Sequence, residues 1–380
     1  MKQLTFIKTK TLEWWDVPEP ELQGPGEALV RPFIAARCDG DAFFLRHHAD
    51  RMLRTGAALH VVDRTFAQQR GGIFQGPFPY GHECIAEVTR VGSEVRAVAV
   101  GDVVVVPWSV CCGACQCCTR GFSAHCERSR TPIAAYGFGK AIGNYGGMVS
   151  DRVRVPFADA MLVRVPEGVD PCSVASASDN IPDAYRAVAP GLQRTPGAPV
   201  LVIGGAAKSI GLYAAGIAVA LGSSGVDYVD SCNTRLRLAE RMGAHPIHVR
   251  ESSRWFTEGR PALPGGYLIA VDASGTTSGL SHALRALAPG GVCTALAFYV
   301  RKRTPLPLWN MYLKSATLHV GVSHPREHLP AVLDLVASKR FDPLLVEPLI
   351  GDFSDAPKIL LESATKVILR RAPLSPRAAV

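Results

Sequence analysis

From Gly197 onward, short apolar runs alternate with longer segments of helical period. In "GAPVLVIGGAAKSIGLYAAGIAVALG" the run Val200–Ile203 meets a glycine-rich turn, and apolar residues recur from about Ser209 to Leu221. Four apolar residues in a row suit a strand covered on both faces, and the longer segment suits a buried helix. The alternation continues with a strand in "VDYVD", a helix in "TRLRLAERMGA", strands in "PIHV" and "YLIAVDASG", a helix in "LSHALRALAPGG" and a strand in "VCTALAFY". Strands interleaved with helices predict an α/β fold built on a parallel, doubly wound sheet. The opening "MKQLTFIKTKTLEWWDV" predicts a strand. It has no apolar core of signal-peptide length and no small-residue cleavage site, so a cytoplasmic location is expected.

At 380 residues the chain exceeds one ordinary core and predicts two domains. Hydrophobic residues at 47%, charged residues at 19%, 36 Gly and 28 Pro describe a globular, turn-rich protein. The run 198–225 is apolar enough to raise the question of a membrane span, but Lys208 and several glycines interrupt it. The net charge of +8 raises the question of nucleic acid. Its cations are scattered, with no basic helix and no interleaved aromatics, so a solvated surface is expected and nucleic-acid binding is not.

The glycine-rich turn carries the first chemistry. A turn between strand and helix lets backbone approach a pyrophosphate, and the helix N-terminus offers free N–H groups and partial positive charge. Residues 204–211 are irregular for that purpose, with Ala206 and Lys208 where glycines are expected, but Gly205, Lys208, Ser209, Ile210 and Gly211 are the candidate contacts. Asp230 ends the next strand, 19 residues beyond Gly211, where an acid can bind the adenosine ribose hydroxyls. Because Asp230 would repel a 2′-phosphate, NAD is favoured over NADP, with Arg235 and Arg237 as the opposing consideration.

Six of the eleven cysteines lie in "VCCGACQCCTRGFSAHC", residues 110–126. A reducing compartment disfavours a disulfide knot. Cys112, Cys115, Cys118 and Cys126 have a spacing that lets four thiolates converge on one Zn2+, a closed and therefore structural site. An iron–sulfur cluster is the rival occupant. Cys111 and Cys117 are left over and are expected to point away. Separately, Cys38, His82 and Asp179 supply a thiolate, an imidazole and a carboxylate from three distant segments, as a catalytic zinc with an open position requires. Asp41 is placed to accept the other ring N–H of His82. Glu83 is a candidate alternate ligand.

With "GHE" at 81–83, Cys-x-x-Asp at 38–41 and the four-cysteine lobe in that order, the chain resembles the zinc-dependent medium-chain alcohol dehydrogenases along nearly its whole length. "SDNIPDAY", with Asp179 six residues before Tyr185, is similar to the version found in glutathione-independent formaldehyde dehydrogenase. The resemblance implies a GroES-like catalytic domain with a distorted antiparallel β-barrel and the structural zinc lobe (residues 1–178), a Rossmann cofactor domain (179–322) and a return to the catalytic domain (323–380). It implies two Zn2+ per chain, one catalytic and one structural, and hydride transfer between a small-molecule alcohol, or its aldehyde or ketone, and NAD. It also implies cofactor-lining roles for Asp272, Ala273 and Leu296, and a pyrophosphate or surface partner in Lys366. "LKSATLHVGVSH" resembles the family's dimer-forming edge strand, so a homodimer or homotetramer is expected. Two alternatives stand beside this reading: a reductase of the same scaffold acting on an imine or activated alkene, and a non-catalytic zinc scaffold that binds a partner or RNA.

The sequence departs from the family in two places. Gly40 stands where a Ser or Thr commonly relays the substrate proton, so Asp39, Glu83, His47 or His48 would have to substitute. Cys38 and His82 are 44 positions apart, roughly double the family's habit, and the extra piece over 46–76 holds five Arg and three His against two Asp between Arg46 and Arg70. A solvated helix and loop is the plain reading of this piece; a lid selecting an anionic or carrier-bound substrate is the sharper one. A third metal site at His47, His48 and His60 lacks supporting spacing. Trp108 and Phe44 are expected to wall the substrate pocket.

Overall fold

The computed structural model describes residues 1–63, 74–129, 131, 133–250 and 265–374. Two compact units emerge. The first comprises Met1–Pro182, His324–Ala337 and Pro348–Val380, and the second Asp183–Ser323 and Ser338–Glu347. The C-terminal segment 323–380 is therefore not wholly part of the first unit, because 338–347 is anchored in the second. There the Phe341 ring meets Tyr213 edge-on, the Arg340 guanidinium donates to the Ala220 carbonyl, and Glu347 pairs with Arg241.

In the first unit a mixed sheet runs in the order Leu349–Asp352, Val367–Arg370, Ala28–Arg37, Glu83–Val91, Val103–Val106 and Val163–Arg164, with Val153–Val155 added to the start of strand 28–37. All pairings except the first are antiparallel. A second sheet pairs Lys2–Lys8 with Thr11–Asp16 and with Phe78–Pro79, so the opening segment forms two strands rather than one. The four valines of Val103–Val106 are all buried, each contributing about 1.5–3 kcal/mol of hydrophobic stabilisation. Strand 28–37 is buried for nearly its whole length and ends on Arg37. The Arg37 guanidinium donates to the carbonyls of Leu360 and Glu362 at 2.6 and 2.7 Å, which fixes the turn leading into the strand that follows Lys366. Phe44 belongs to this core, where its ring packs against Phe6, Phe74 and Phe78.

In the second unit six parallel strands run in the order His245–His248, Val226–Asp230, Val200–Ile203, Tyr267–Asp272, Leu287–Ala295 and Thr317–Val320. This is the doubly wound α/β sheet, with the helix Lys208–Ala220 after the glycine-rich turn. The segment read as helix through Gly291 divides earlier. The helix closes at Arg285, and Leu287 already pairs with Tyr267 across an irregularity in the ladder. Before strand 317–320 the helix Leu308–Lys314 presents Leu308, Trp309, Tyr312 and Leu313 to solvent. No helix among the described residues is long and apolar enough to cross a membrane.

Candidate metal centres and dinucleotide site

Strand 28–37 ends just before Cys38, and strand 83–91 begins just after His82, so pairing of Ala36 with Glu83 brings the two ligands together. Asp179 arrives on a turn pinned by Ser178. The Cys84 amide donates to Ser178 Oγ at 3.0 Å, that hydroxyl donates back to the Cys84 carbonyl at 3.1 Å, and the Trp108 amide donates to the Ser178 carbonyl. The outcome is a buried cluster in which Cys38 Sγ lies 3.2 Å, and His82 Nε2 3.6 Å, from Asp179 Oδ2. Ligand bonds of about 2.0–2.3 Å at tetrahedral angles give edges of roughly 3.3–3.8 Å, close to the two distances from Asp179, and all three donor atoms lie within 4.8 Å of one another.

The charge balance points the same way. Asp41 and Glu83 flank the three ligands; the charges opposing these anions are His82, Lys366 and, on the Asp41 side, Arg37. Burial opposes a charged imidazole, but Asp41, Asp179 and Glu83 together raise the His82 pKa to about 9. Burial, and then the charges of Asp179, Asp41 and Glu83, push the Cys38 thiol far up. A divalent cation would relieve both, since the site has an excess of desolvated negative charge.

Several expectations change at this site. Asp41 Oδ1 lies 3.8 Å from His82 Nδ1, an ion-pair distance and not a hydrogen bond. Its other oxygen accepts from the buried Tyr80 hydroxyl at 2.8 Å. Lys366 is neither a surface residue nor exposed to a ligand. It is 1% exposed, and its ammonium donates to Glu83 Oε2 and Asn180 Oδ1, each at 2.7 Å. Glu83 is thus committed to Lys366 and the Asn180 amide. Sequence reasoning also missed Phe138, whose ring stacks on His82 at 5.0 Å. Trp108 lies edge-on to His82 at 6.4 Å, and its buried indole nitrogen has no hydrogen-bond partner among the described residues. His47 and His48 are exposed, and no described metal-ligand cluster includes them or His60. The charged extra piece follows the helix Asp41–Arg46 and is itself helical over Ala49–Ala58, where Arg54 pairs with Asp50; its residues 64–73 lie outside the described residues.

The second cluster joins the sulfurs of Cys112, Cys115, Cys118 and Cys126, all within 4.8 Å of one another. Backbone amides point at them. Those of Cys118 and Glu127 donate to Cys115 Sγ, that of Cys115 to Cys112 Sγ, and that of Cys112 to Cys126 Sγ, at 3.4–3.5 Å. Against some burial, these donors lower the Cys115 thiol to about 6, the environment of a sulfur held as thiolate. Cys111 is buried in the apolar core, and Cys117 is half-buried.

In the second unit, Gly204 and Gly205 mark the close approaches. A Cβ on Gly204 would sit 2.4 Å from Asp230 Oδ2, and one on Gly205 2.7 Å from the Ser274 backbone. Gly211 lies against Ala273. Lys208 opens the helix, followed by the buried Ser209 and Ile210, while Ala273 and Leu296 follow directly on strands 267–272 and 287–295. Asp230 is nearly saturated with donors. Arg235 holds both oxygens at 2.7 Å, the Cys232 amide donates at 2.9 Å and the Tyr228 hydroxyl at 3.0 Å. Asp272 is buried and accepts from the Ser274 and Tyr299 hydroxyls.

A thiolate–imidazole–carboxylate cluster in an antiparallel unit, with a doubly wound sheet in the second, defines a zinc-dependent oxidoreductase. Residues 24–167 match the model of the alcohol dehydrogenase GroES-like domain and residues 209–338 that of the zinc-binding dehydrogenase domain. The chain belongs to the zinc-dependent medium-chain dehydrogenase/reductase family. It is 28% identical over 330 residues to a Mycobacterium tuberculosis protein named as a probable zinc-binding alcohol dehydrogenase, covering 86% of this chain and 75% of that one. It is 29% identical over 287 residues to formaldehyde dismutase of Pseudomonas putida, covering 70% of each. The solved alcohol dehydrogenase of Thermus sp. ATN1 superposes with a TM-score of 0.80 at 29% identity, over 97% of this chain and 99% of that one.

Proposed function

We propose that the chain transfers a hydride between an alcohol, or the corresponding aldehyde or ketone, and NAD, at a zinc held by Cys38, His82 and Asp179. The observation that carries the reading is the convergence of those three donors in a buried site. When bound, zinc supplies a Lewis acid that polarises the substrate oxygen. The nicotinamide supplies the hydride acceptor or donor. Asp41, fixed by the Tyr80 hydroxyl, lies on the Nδ1 side of His82, and Nε2 faces Asp179. Phe138 and Trp108 shield the imidazole from water, and the Trp108 indole N–H, with no hydrogen-bond partner among the described residues, can donate to a polar substrate atom. Gly40 carries no hydroxyl and Glu83 is held by Lys366, so the half-buried Asp39 carboxylate is the group to accept the substrate proton. The four-cysteine lobe holds a second, structural zinc.

NAD is favoured because Asp230 ends its strand where ribose hydroxyls bind. The Arg235 guanidinium locked onto that carboxylate favours a second reading, in which it turns to a 2′-phosphate and NADP is accepted. Self-association is proposed through the sheet edge Thr317–Val320 and the exposed apolar face of helix 308–314. A panel of neutral and anionic alcohols and aldehydes, assayed with NAD and NADP by the near-ultraviolet absorbance of the reduced nicotinamide, tests the function. Hydride transfer that requires zinc supports it; no transfer with any pair by zinc-replete protein refutes it.

A further inference from the structure

Asn180 sits between the metal ligands and the buried Lys366, and no part of the proposed reaction uses it. Its side chain is fully buried. One end accepts, with Asn180 Oδ1 receiving the Lys366 ammonium at 2.7 Å and the Asp39 backbone N–H at 3.3 Å. The other end donates, with Asn180 Nδ2 lying 3.1 Å from Cys38 Sγ and 3.1 Å from Asp179 Oδ2. This orientation has a chemical cause. An ammonium group only donates, so the amide oxygen must face Lys366 and the NH2 must face the two ligands. Lys366 is itself held by Glu83, so the chain Glu83–Lys366–Asn180 fixes an amide donor on a thiolate and a carboxylate at once.

We propose that Asn180 is a positioning residue that hydrogen-bonds the Cys38 thiolate and Asp179, reduces the charge they donate to the metal, and thereby sharpens its Lewis acidity. The inference rests on the metal centre proposed above. An N–H···S bond lowers the energy of the sulfur donor electrons, so its loss moves a sulfur-to-metal charge-transfer band to longer wavelength. Outer-shell partners of this kind alter metal affinity by about 10-fold or more.

The test keeps zinc in the four-cysteine lobe and places Co2+ in the three-ligand site, with Cys38→Ser protein loaded in the same way as the spectral blank. Asn180→Leu keeps roughly the size of the side chain but removes the donor without adding charge, and Asn180→Ala removes the side chain. Both are expected to shift the Cys38 charge-transfer band to longer wavelength. A band at the wild-type wavelength in either folded variant overturns the role of Asn180. Absence of any Cys38-dependent band in the wild type overturns the metal centre itself, which separates the two failures.

Discussion

Replacing Lys366 by Met isolates the energetics of the polar chain behind the ligands. The side chains of Lys366 and Glu83 are both fully buried and 2.7 Å apart. Without the ammonium, Glu83 keeps the Asn180 backbone amide at 3.2 Å, and burial alone already raises its pKa. Removing one partner of a buried pair costs about 3–5 kcal/mol, because the remaining charge stays desolvated. The unit that holds the pair falls in the size range where 1 kcal/mol moves Tm by about 2–4 °C. The calorimetric transition that reports this unit should therefore fall by about 6–20 °C in metal-free protein. The double variant Lys366→Met/Glu83→Leu should recover more than half of the loss, since apolar replacement of a buried pair is often neutral or stabilising. A single-variant drop below about 3 °C, or a double variant no better than the single, would refute the reasoning.

Three further outcomes are expected. In metal-free protein near pH 8 both Cys38 and His82 hold protons, because burial and the nearby carboxylates raise the thiol and those carboxylates hold the imidazole near 9; zinc loading should then release both, and affinity should rise with pH, more steeply below about 9 than above it. Calorimetry in buffers of differing ionisation enthalpy checks this, and loading without proton release would contradict it. Gly205→Ala places a Cβ about as close to the Ser274 backbone as the 2.7 Å approach allows, so dinucleotide affinity should fall by at least about 10-fold while zinc content is kept; unchanged affinity by fluorescence titration would remove the turn from the site. Trp309→Glu with Tyr312→Lys, at positions 71% and 75% exposed, should convert an oligomer to monomers in light scattering, and an unchanged mass would place the interface elsewhere.

The extent to which this architecture was legible in sequence follows the range of the interactions. Strands such as Val200–Ile203, an apolar run, and Val226–Asp230, apolar residues interspersed with acidic ones, have local patterns, and they were readable to the residue. The end of helix 277–285 was not, because Leu287 leaves it to pair with Tyr267, a contact no local pattern announces. The ligand types were legible from their spacing and flanking residues. Lys366 was misread because its partner Glu83 is 283 positions away. Asn180 was overlooked although it adjoins Asp179, since its significance lies in contacts with Cys38 and Lys366 made only by folding. Phe44 and Phe138 show the same limit. Both are aromatic residues in apolar surroundings, and only tertiary packing assigns one to the core and the other to the face of His82.

Zinc per chain and hydride transfer, measured on the same preparations of the wild type and of Cys38→Ala, His82→Ala and Asp179→Ala, test the central claim most directly. The account predicts two zinc ions in the wild type, from the two ligand clusters. Each variant should hold one, bind NAD and transfer no hydride. Variants that retain the full zinc content and wild-type turnover would contradict it.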